Sequence, residues 1–270
     1  MKKLKIYCLS LSSSHLDLIE NIGYTPVGLG EETFSDKWLS DKSGDNISKK
    51  NPYYGEYTFH YWLWKNYKID FPGWIGFCQY RKFWIKNFSM SKINKLVDLK
   101  NVVLKEIPKN IADYDSIIGE PTFVNKFKFT KFLKHNFKSM IYNPKFFLSS
   151  NRTLRFHFNM MHGEGNLDKA VNLIPRIDRN DFRDFVNSEV SFNPHNMFIC
   201  KNKKILFNYY ESVFPWLREC EKIFGFKDLR SYGLKRIYGF LAERYMSYWF
   251  KKYTKHTTLP IQFKDISDFL

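Results

Sequence analysis

The sequence predicts an α/β fold with a helix-rich carboxyl-terminal half. Strand-like apolar segments alternate with helical patterns over about the first 120 residues, long helical patterns dominate the remainder, and neither an internal repeat nor a linker divides the chain. With 270 residues, of which 44% are hydrophobic, the chain can bury one complete core. We therefore expect a single domain over residues 1–270, in which helices are added to an α/β sheet.

The expected strands are short apolar runs bounded by glycine, proline or polar residues. They cover residues 3–11, 24–30, 74–78, 101–107, 113–121 and 195–201. The polar segment 31–52 between the second and third strands is rich in Gly, Asp, Asn and Ser, which predicts a long loop. Because long loops in compact domains are usually either functional or disordered, this segment is a candidate binding element, with disorder as the alternative.

The expected helices show apolar residues at helical spacing. They cover residues 15–22, 54–67, most of 123–188 with breaks at Pro144, Gly163, Gly165 and Pro175, then 204–224 and 234–253. Proline lacks the backbone N–H that a helix needs, so we expect Pro215 to interrupt the fourth of these helices. The last helix is expected to be strongly amphipathic.

The charge of the chain points to anionic partners. Lys and Arg number 43 against 27 Asp and Glu, which gives a net charge of +16 and a pI near 9.5. Nucleic acid, an acidic membrane face and phosphate-bearing small molecules all remain open on this evidence. The four scattered cysteines fit neither a metal site nor a disulfide framework, and we expect them to be buried thiols.

No segment reads as a membrane span or an export signal. The amino-terminal "MKKLKIYCLSLSSS" alternates as a strand does and lacks a small-residue cleavage site. We expect a cytoplasmic protein, whose basic, aromatic surface would suit a peripheral position on the inner face of the cytoplasmic membrane.

Several common catalytic motifs are absent from the sequence. The chain contains no GxxxxGK[ST], GxGxxG, HExxH or GxSxG pattern. P-loop nucleotide hydrolysis, dinucleotide redox chemistry, zinc proteolysis and serine hydrolysis therefore lose support.

The polar loop before the second helix is the richest local cluster of hydrogen-bonding side chains. It offers groups suited to ribose or sugar hydroxyls just before a helix amino terminus that can face an anion: Asp45, Asn46, Ser48, Asn51 and Glu56. The alternative is helix capping, with Asn51 or Asp45 as the cap and Pro52 in the first turn.

The segment "GFCQYRKFW", residues 76–84, places polar groups at the end of a strand. Open α/β sheets hold ligands at the carboxyl ends of their strands, where Arg81 and Lys82 could bind phosphate. A solvated basic turn is the alternative for this segment alone.

Other candidates are less specific. Asp113 and Asp115 form a DxD pair, but they precede a strand instead of ending one, which argues against a metal role. Glu243 and Arg244 form either the polar stripe of the last helix or a pair in a cleft, where a buried carboxyl would suit a general base. His162 lies beside "GEG" in an expected loop, whereas His135, His157 and His195 are expected to be structural.

Five sequence blocks together resemble a known family. They are "GDNISKKNPYYGEYTFHYWLWKN", "WIGFCQYRKF", "NMFICK", "FPWL" and "YGFLAER". On these blocks the chain resembles a family of bacterial capsular-polysaccharide and O-antigen glycosyltransferases, long catalogued as a domain of unknown function, that includes galactofuranosyltransferases. The likeness runs from about residue 3 to residue 250, and the first two blocks are the most specific.

The resemblance implies a GT-A-like nucleotide-diphosphosugar transferase fold, with a mixed sheet and flanking helices. About residues 1–120 would bind the donor, and the helix-rich residues 121–270 would face the acceptor. The donor would be UDP-linked, carrying galactofuranose or another hexose. The acceptor would be a lipid-diphosphate-linked oligosaccharide at the anionic inner membrane surface.

The resemblance also assigns roles to residues. The donor-binding set would be Asp45, Asn46, Ser48, Asn51, Glu56, Gln79, Tyr80, Arg81 and Lys82. Glu243 would be the base that deprotonates the acceptor hydroxyl, with His162 and Glu189 as rivals, and Asn196 and Arg244 would lie on the acceptor side.

The chain departs from the family pattern at one block. Members usually read His-Tyr-Arg-Arg where this chain has Gln79, Tyr80, Arg81 and Lys82. Many such enzymes place a DxD metal motif at this strand, where the chain has basic residues. We therefore expect Arg81 and Lys82 to offset the diphosphate charge directly. No metal ligand is assigned, and Mn²⁺ or Mg²⁺ stays an alternative.

Two other classes of function stay open. A basic nucleic-acid-binding protein would fit the charge and the aromatic content, but the aromatics follow helical core spacing and no Lys/Arg tract or zinc finger occurs. We therefore expect no nucleic-acid partner. A catalytically degenerate transferase that serves as an assembly partner is the second alternative, since Gln79 cannot carry a proton as histidine does.

Overall fold

The structure is a computed structural model that describes residues 3–66, 71–87, 92–126, 152–227, 229 and 232–270. Its strands are β1 Leu4–Ser10, β2 Thr25–Gly28, β3 Leu39–Ser40, β4 Trp74–Gln79, β5 Lys82–Trp84, β6 Ser116–Gly119, β7 Thr122–Phe123, β8 Ser191–Phe192, β9 Phe198–Cys200, β10 His256–Leu259 and β11 Ile261–Phe263.

The helices alternate with strands at first and dominate later. They are α1 Leu16–Ile22, α2 Asn51–Tyr54, α3 Tyr57–Asn66, α4 Leu96–Val102, α5 Leu154–His162, α6 Asn166–Asn172, α7 Arg176–Ser188, α8 Lys203–Phe224, α9 Tyr232–Lys235 and α10 Ile237–Tyr253. Short 3-10 turns cover Ser13–His15, Ser48–Lys50, Lys109–Ile111 and Ile266–Phe269. None of the described helices is long and apolar enough to cross a bilayer.

Within the described residues, nine strands form one mixed sheet. Seven of them lie in the order β10-β6-β9-β4-β1-β2-β3, and β5 joins β4 to β11. The pairs β1–β2, β1–β4, β2–β3 and β6–β10 are parallel, whereas β9 runs antiparallel to both β4 and β6. The mixed sheet, the flanking helices and the helix-rich carboxyl-terminal half are confirmed. Strands β9 and β10 come from that half, so both halves of the chain build the sheet; their division into donor and acceptor sides stays a prediction.

The sheet separates two apolar clusters. Successive residues of β1 point to opposite faces, so that Tyr7 faces the layer of α3, α8 and α10 and Cys8 faces the layer of α1 and α4. Both residues are fully buried. All four cysteines are buried and free, as predicted.

Helix α10 lies inside the larger helical layer. Thirteen of its residues between Ile237 and Phe250 are buried, which corrects the expected amphipathic helix. A Cβ on Gly239 would lie 3.3 Å from the carbonyl oxygen of Tyr54, so the absence of a side chain there lets α2 and α10 pack closely. A helix buried on most sides must place its polar side chains in paired positions.

Three other expectations need correction. Helix α8 continues through Pro215 without a break. The strand expected at 101–107 is wrong, because α4 extends to Val102 and only Val103 forms a bridge, with Ile85. Six strands of two to four residues were not predicted: β3, β5, β7, β8, β10 and β11. In the helical stretch expected over 123–188, residues 127–151 lie outside the described residues.

Stability at low pH is set in part by buried His60. Its ring lies between Phe77 and Phe198, and its Nδ1 is 2.7 Å from the hydroxyl oxygen of Tyr210. Burial lowers the pKa of His60 to about 3. In the unfolded chain the pKa of His60 is 6.5, so below pH 6.5 the unfolded chain binds a proton that the folded protein does not. The contribution of His60 to stability is therefore full above pH 6.5 and falls as the pH drops toward 3.

We expect the free energy of unfolding, measured by urea denaturation at several pH values from about 7 to about 4, to fall with acid, by ~1.4 kcal/mol per pH unit for each such histidine. His60→Gln should make this fall less steep, because glutamine does not titrate. An equal slope for the wild type and His60→Gln would contradict this role of His60.

Candidate functional site

The candidate site lies where the strand order changes direction. From β1 the chain proceeds to β2 and β3 on one side of the sheet and then returns to β4 on the other. The carboxyl ends of β1, β4 and β6 share one edge, which we call the carboxyl edge, and the amino end of antiparallel β9 lies there too. In open α/β sheets such a switch point forms the ligand crevice.

Gln79, the last residue of β4, joins three neighbours at this edge. Its Nε2 donates to Glu56 Oε1 over 2.5 Å and to the carbonyl oxygen of His195 over 3.0 Å, and its Oε1 accepts a hydrogen bond from Lys82 Nζ at 3.1 Å. The predicted strand end therefore meets Glu56, the last of the five polar candidates around the start of the second predicted helix. The amide uses both of its donors and one acceptor site.

Two cations flank Glu56. Burial lowers the pKa of Lys82, and the carboxylates of Glu56 and Glu243 partly offset that effect. Arg236, which precedes α10, lies against Gly55, where a Cβ would collide with the guanidinium, and Glu56 stabilises its charge. Oε2 of Glu56 receives no hydrogen bond from the described residues. One carboxylate between two cations thus leaves net positive charge at the carboxyl edge.

Glu243 projects from α10 into the same cluster. Its Oε1 accepts a hydrogen bond from the backbone N–H of His195 at 2.5 Å, and its Oε2 accepts one from Arg244. His195 and Asn196 both have left-handed backbones, with φ of 78° and 53°. Such conformations are costly for residues other than glycine, so the hydrogen bond to Glu243 helps to hold the turn before β9.

Arg244 is almost completely buried behind Glu243. Its guanidinium carbon lies 3.7 Å from the centroid of the Phe192 ring, and its Nη2 lies 3.3 Å from His157 Nδ1. Burial lowers the pKa of Arg244, and Glu243 opposes this. The pair therefore lies inside the protein, which excludes the solvent-exposed stripe considered for Glu243 and Arg244.

The three histidines around this pair are neutral at physiological pH. Burial lowers the pKa of His195 and of His157 to about 3, with help from Lys82 and Arg244 respectively. Burial lowers the pKa of His162 to about 2, and its ring stacks on Phe240 at 4.1 Å. His162 Nδ1 lies 3.0 Å from the carbonyl oxygen of Gly233.

Tyr80 and Arg81 form the turn between β4 and β5, beside the cluster. Arg81 Nε bonds Asp265 at 2.6 Å, and its guanidinium lies over the Tyr80 ring. The backbone N–H of Ile266 donates to the carbonyl oxygen of Tyr80. The carboxyl-terminal segment therefore covers this turn.

The residues of the polar loop separate into two groups. Asn51 lies near Glu56 and donates to the carbonyl oxygen of Gly55 at 3.0 Å. Asn46 Oδ1 accepts from the Ser48 backbone and hydroxyl, which is a local turn contact. The Asp45 carboxylate accepts a hydrogen bond from Tyr61 in the middle of α3, and its backbone N–H donates to Asn66, about 13 Å along that helix from its start. Donor binding by Asp45, Asn46 and Ser48 stays a prediction.

Two further predicted residues lie at opposite ends of this region. Asn196 donates to the carbonyl oxygen of Gly239 over 3.3 Å, which places it between β9 and α10. Glu189 follows α7, where its charge acts on Lys251. It is separate from the Gln79 cluster.

Sequence reasoning missed three residues at the carboxyl edge. His195 was expected to be structural, and Arg236 was not considered. The "NPHN" turn before β9 was a signal for unusual backbone at His195. Asp41, which directly follows β3, is completely buried, and burial raises the pKa of its carboxyl. No local pattern marked Arg236 or Asp41.

The DxD pair lies away from the candidate site. Asp115 of the DxD pair bonds the backbone N–H of Lys255 at the amino end of β6, opposite to the carboxyl edge. Throughout the described ranges, no three His, Cys, Asp or Glu side chains are arranged to hold an ion. No step is therefore assigned to a metal.

The fold is that of an α/β protein with a mixed sheet, and the residues around Gln79 form a candidate site at its carboxyl edge. Residues 5–255 match the family described as Domain of unknown function (DUF4422), and the chain belongs to that family. The apo structure of the WbbM bifunctional glycosyltransferase shares the fold, with a TM-score of 0.67 and 20% sequence identity. That match covers 97% of this chain and 45% of the other, so this chain spans less than half the length of the WbbM chain. No curated protein matches the chain.

Removing Arg244 should destabilise the protein strongly, because it leaves Glu243 buried without its partner. We expect Arg244→Ala to lower the free energy of unfolding by ~3 kcal/mol or more in urea denaturation. The matched control is Arg155→Ala, which breaks an exposed pair with Asp168 and should cost at most ~1 kcal/mol. If both variants lost the same free energy of unfolding, the buried pair would contribute no more to stability than the exposed pair.

Proposed function

We propose that this chain is a glycosyltransferase that uses a nucleotide-diphosphosugar donor. The observation that carries the proposal is the cluster of Glu56, Gln79, Lys82, Arg236 and Glu243 at the switch point of the sheet. It combines cations for a diphosphate with carboxylates for a hydroxyl group. The shared fold with a structure titled as a glycosyltransferase supports this reaction class over nucleic-acid binding.

The proposed donor is a UDP-linked hexose, with galactofuranose as the first candidate. The diphosphate would lie against Lys82 and Arg236, because both cations flank the end of β4. Arg81 is neutralised by Asp265 and is exposed, so its contribution depends on opening that ion pair. The Asn51 side-chain oxygen and the second acceptor site of Gln79 Oε1 would accept hydrogen bonds from hydroxyls of the sugar or the ribose.

Glu56 is better placed than Glu243 to act as the base. Both oxygens of Glu243 already accept hydrogen bonds, one from the His195 backbone and one from Arg244. Among the described residues none donates to Oε2 of Glu56, which can therefore receive an acceptor hydroxyl, and the Glu56 side chain is more exposed than that of Glu243. In this assignment Glu56 takes the proton as the acceptor oxygen attacks the anomeric carbon and the nucleoside diphosphate leaves. Glu243 positions the His195 turn.

The proposed acceptor is a lipid-diphosphate-linked oligosaccharide of capsule or O-antigen biosynthesis. The net charge of +16 would attract both its diphosphate and the anionic inner leaflet. Exposed Phe263 and Leu270 belong to the carboxyl-terminal segment that covers the Tyr80 turn, which would bring apolar contacts close to the site. Peripheral membrane binding is thus part of the proposal.

Donor binding gives the first measurement. A thermal-shift comparison of UDP, GDP, CMP and their sugars should identify one nucleotide that stabilises the protein, by about 2.7 kcal/mol at 100 times its Kd. Lys82→Ala should weaken that nucleotide about tenfold or more, through loss of a charge-assisted contact. Lys86→Ala, which changes a nearby exposed lysine, is the matched control and should bind as the wild type does. If no nucleotide stabilises the wild type, the proposed donor class is wrong.

Isosteric substitution can distinguish the proposed roles of the Glu56 and Glu243 carboxylates. Glu56→Gln should lower kcat about 100-fold or more with a wild-type melting temperature, because glutamine cannot accept the proton. Glu243→Gln should lower the melting temperature, since it leaves Arg244 without its anion. Transfer of labelled sugar and circular dichroism melting measure the two effects. Full turnover by Glu56→Gln, together with lost turnover in a stable Glu243→Gln, would assign the base to Glu243. Transfer by the wild type would exclude a degenerate enzyme.

A further inference from the structure

A cavity of about 460 Å³ lies away from the candidate site, between α7, α8 and α10. We call it the distal groove, and its wall and floor residues include Ile177, Asp178, Glu211, Ser212, Trp249 and Tyr253. Thr254 also lines it, and the hydroxyl of Thr254 lies 2.6 Å from that of Ser116, the first residue of β6. The distal groove therefore opens at the amino ends of the parallel strands, opposite to the carboxyl edge.

The floor of the distal groove is fixed by hydrogen bonds. Trp249 Nε1 donates to Ser212 Oγ over 3.1 Å. Buried Asp178 accepts hydrogen bonds from Tyr253 at 2.5 Å, from Lys252 at 2.8 Å and from Tyr248 at 3.0 Å. Lys252 shares its charge between Asp178 and the exposed Asp181. The floor thus holds its shape before any ligand binds, which limits the entropic cost of binding.

Two helices beside the distal groove have backbone groups without a partner inside the helix itself. Because Pro215 has no N–H, the carbonyl of Glu211 lacks its partner within α8, although the helix continues. Helix α7 begins after Pro175 without a side-chain cap, and its first N–H groups, on Arg176 and Ile177, have no acceptor within the helix.

The exposed surface of the distal groove is partly apolar and partly polar. Tyr253 is 45% exposed and presents an aromatic ring, and Ile177 is 79% exposed. Asn208 and Glu211 are exposed on α8, where they add an amide and a carboxylate. The Glu211 carboxylate disfavours a phosphate or another anion in this space, although the protein as a whole is strongly basic.

We propose that the distal groove binds a neutral saccharide. Sugar hydroxyls both donate and accept hydrogen bonds, which suits the amide of Asn208 and the carboxylate of Glu211. The apolar face of a sugar ring suits Tyr253. The volume lies in the range of small-molecule pockets and suits one or two hexose units.

Helix α10 links the distal groove to the candidate site. Glu243 and Tyr253 are ten residues apart on this helix, which places them about 15 Å apart along its axis. The proposed ligand class, a neutral saccharide, is inferred from the residues that line the distal groove and not from the candidate site. Saccharide binding is measured without a nucleotide donor, so its outcome is independent of the proposed transfer reaction.

The test is saccharide binding by the full chain on an array of bacterial oligosaccharides, followed by calorimetry with the uncharged oligosaccharide that binds. Asn208→Arg places a long side chain over the groove and should weaken binding about tenfold or more. Asn180→Arg makes the same change on an exposed position of α7 outside the groove lining and should stay within about twofold of the wild type. Equal melting temperatures for these variants show that the fold is kept.

A second pair of variants examines the aromatic ring. Tyr253→Phe keeps the ring and should retain saccharide affinity within about threefold, whereas Tyr253→Ala should lose about fivefold or more. Lack of binding to every uncharged oligosaccharide overturns the proposal. The proposal is also overturned if Asn208→Arg binds the oligosaccharide as the wild type does. A third contrary outcome is that Asn208→Arg weakens the binding of anionic or fatty-acid probes only.

Discussion

The buried pair of Glu243 and Arg244 is the interaction on which the candidate site depends. Taking both charges out of water is costly, and the cost is offset only when their remaining hydrogen-bonding groups find partners. The His195 backbone N–H supplies one such partner, and His157 and the Phe192 ring supply others. The left-handed turn at His195 therefore persists because the pair requires it. The same turn places the His195 carbonyl where it accepts a hydrogen bond from Gln79.

The regular elements were predictable where a local pattern is sufficient. Alternation in β1 and the apolar run of β4 gave both strands, because each is long enough to show its period. The missed strands are two to four residues long, and they form only because a neighbouring strand supplies their hydrogen bonds; β11, for example, pairs with β5. Pro215 did not end α8, because burial of the residues around it outweighs one lost backbone bond.

The positions of the candidate site were predictable in part: its strand end and the carboxylates Glu56 and Glu243 were candidates, whereas Arg236 was not. Gln79 and Lys82 were found because a polar run after an apolar strand is a local signal. Asp45 and Asn46 were harder, since the side chains that bind sugars also form turns, and the structure shows them in local contacts. Arg236 reaches Glu56 from a segment about 180 residues later in the chain, which no local pattern records.

Glutamine at position 79 gives the site a property that histidine would not. The Gln79 amide donates twice, to Glu56 and the His195 carbonyl, and accepts once, from Lys82. Neutral histidine has one donor and one acceptor, and protonated histidine has two donors and none to accept. Either form would leave one of the three partners without its bond. Glutamine does not titrate, so it can keep all three hydrogen bonds whatever the pH. The neighbouring His195, with a pKa of about 3, is also neutral near pH 7. The geometry around Lys82 is therefore independent of pH in the range where histidine ordinarily titrates.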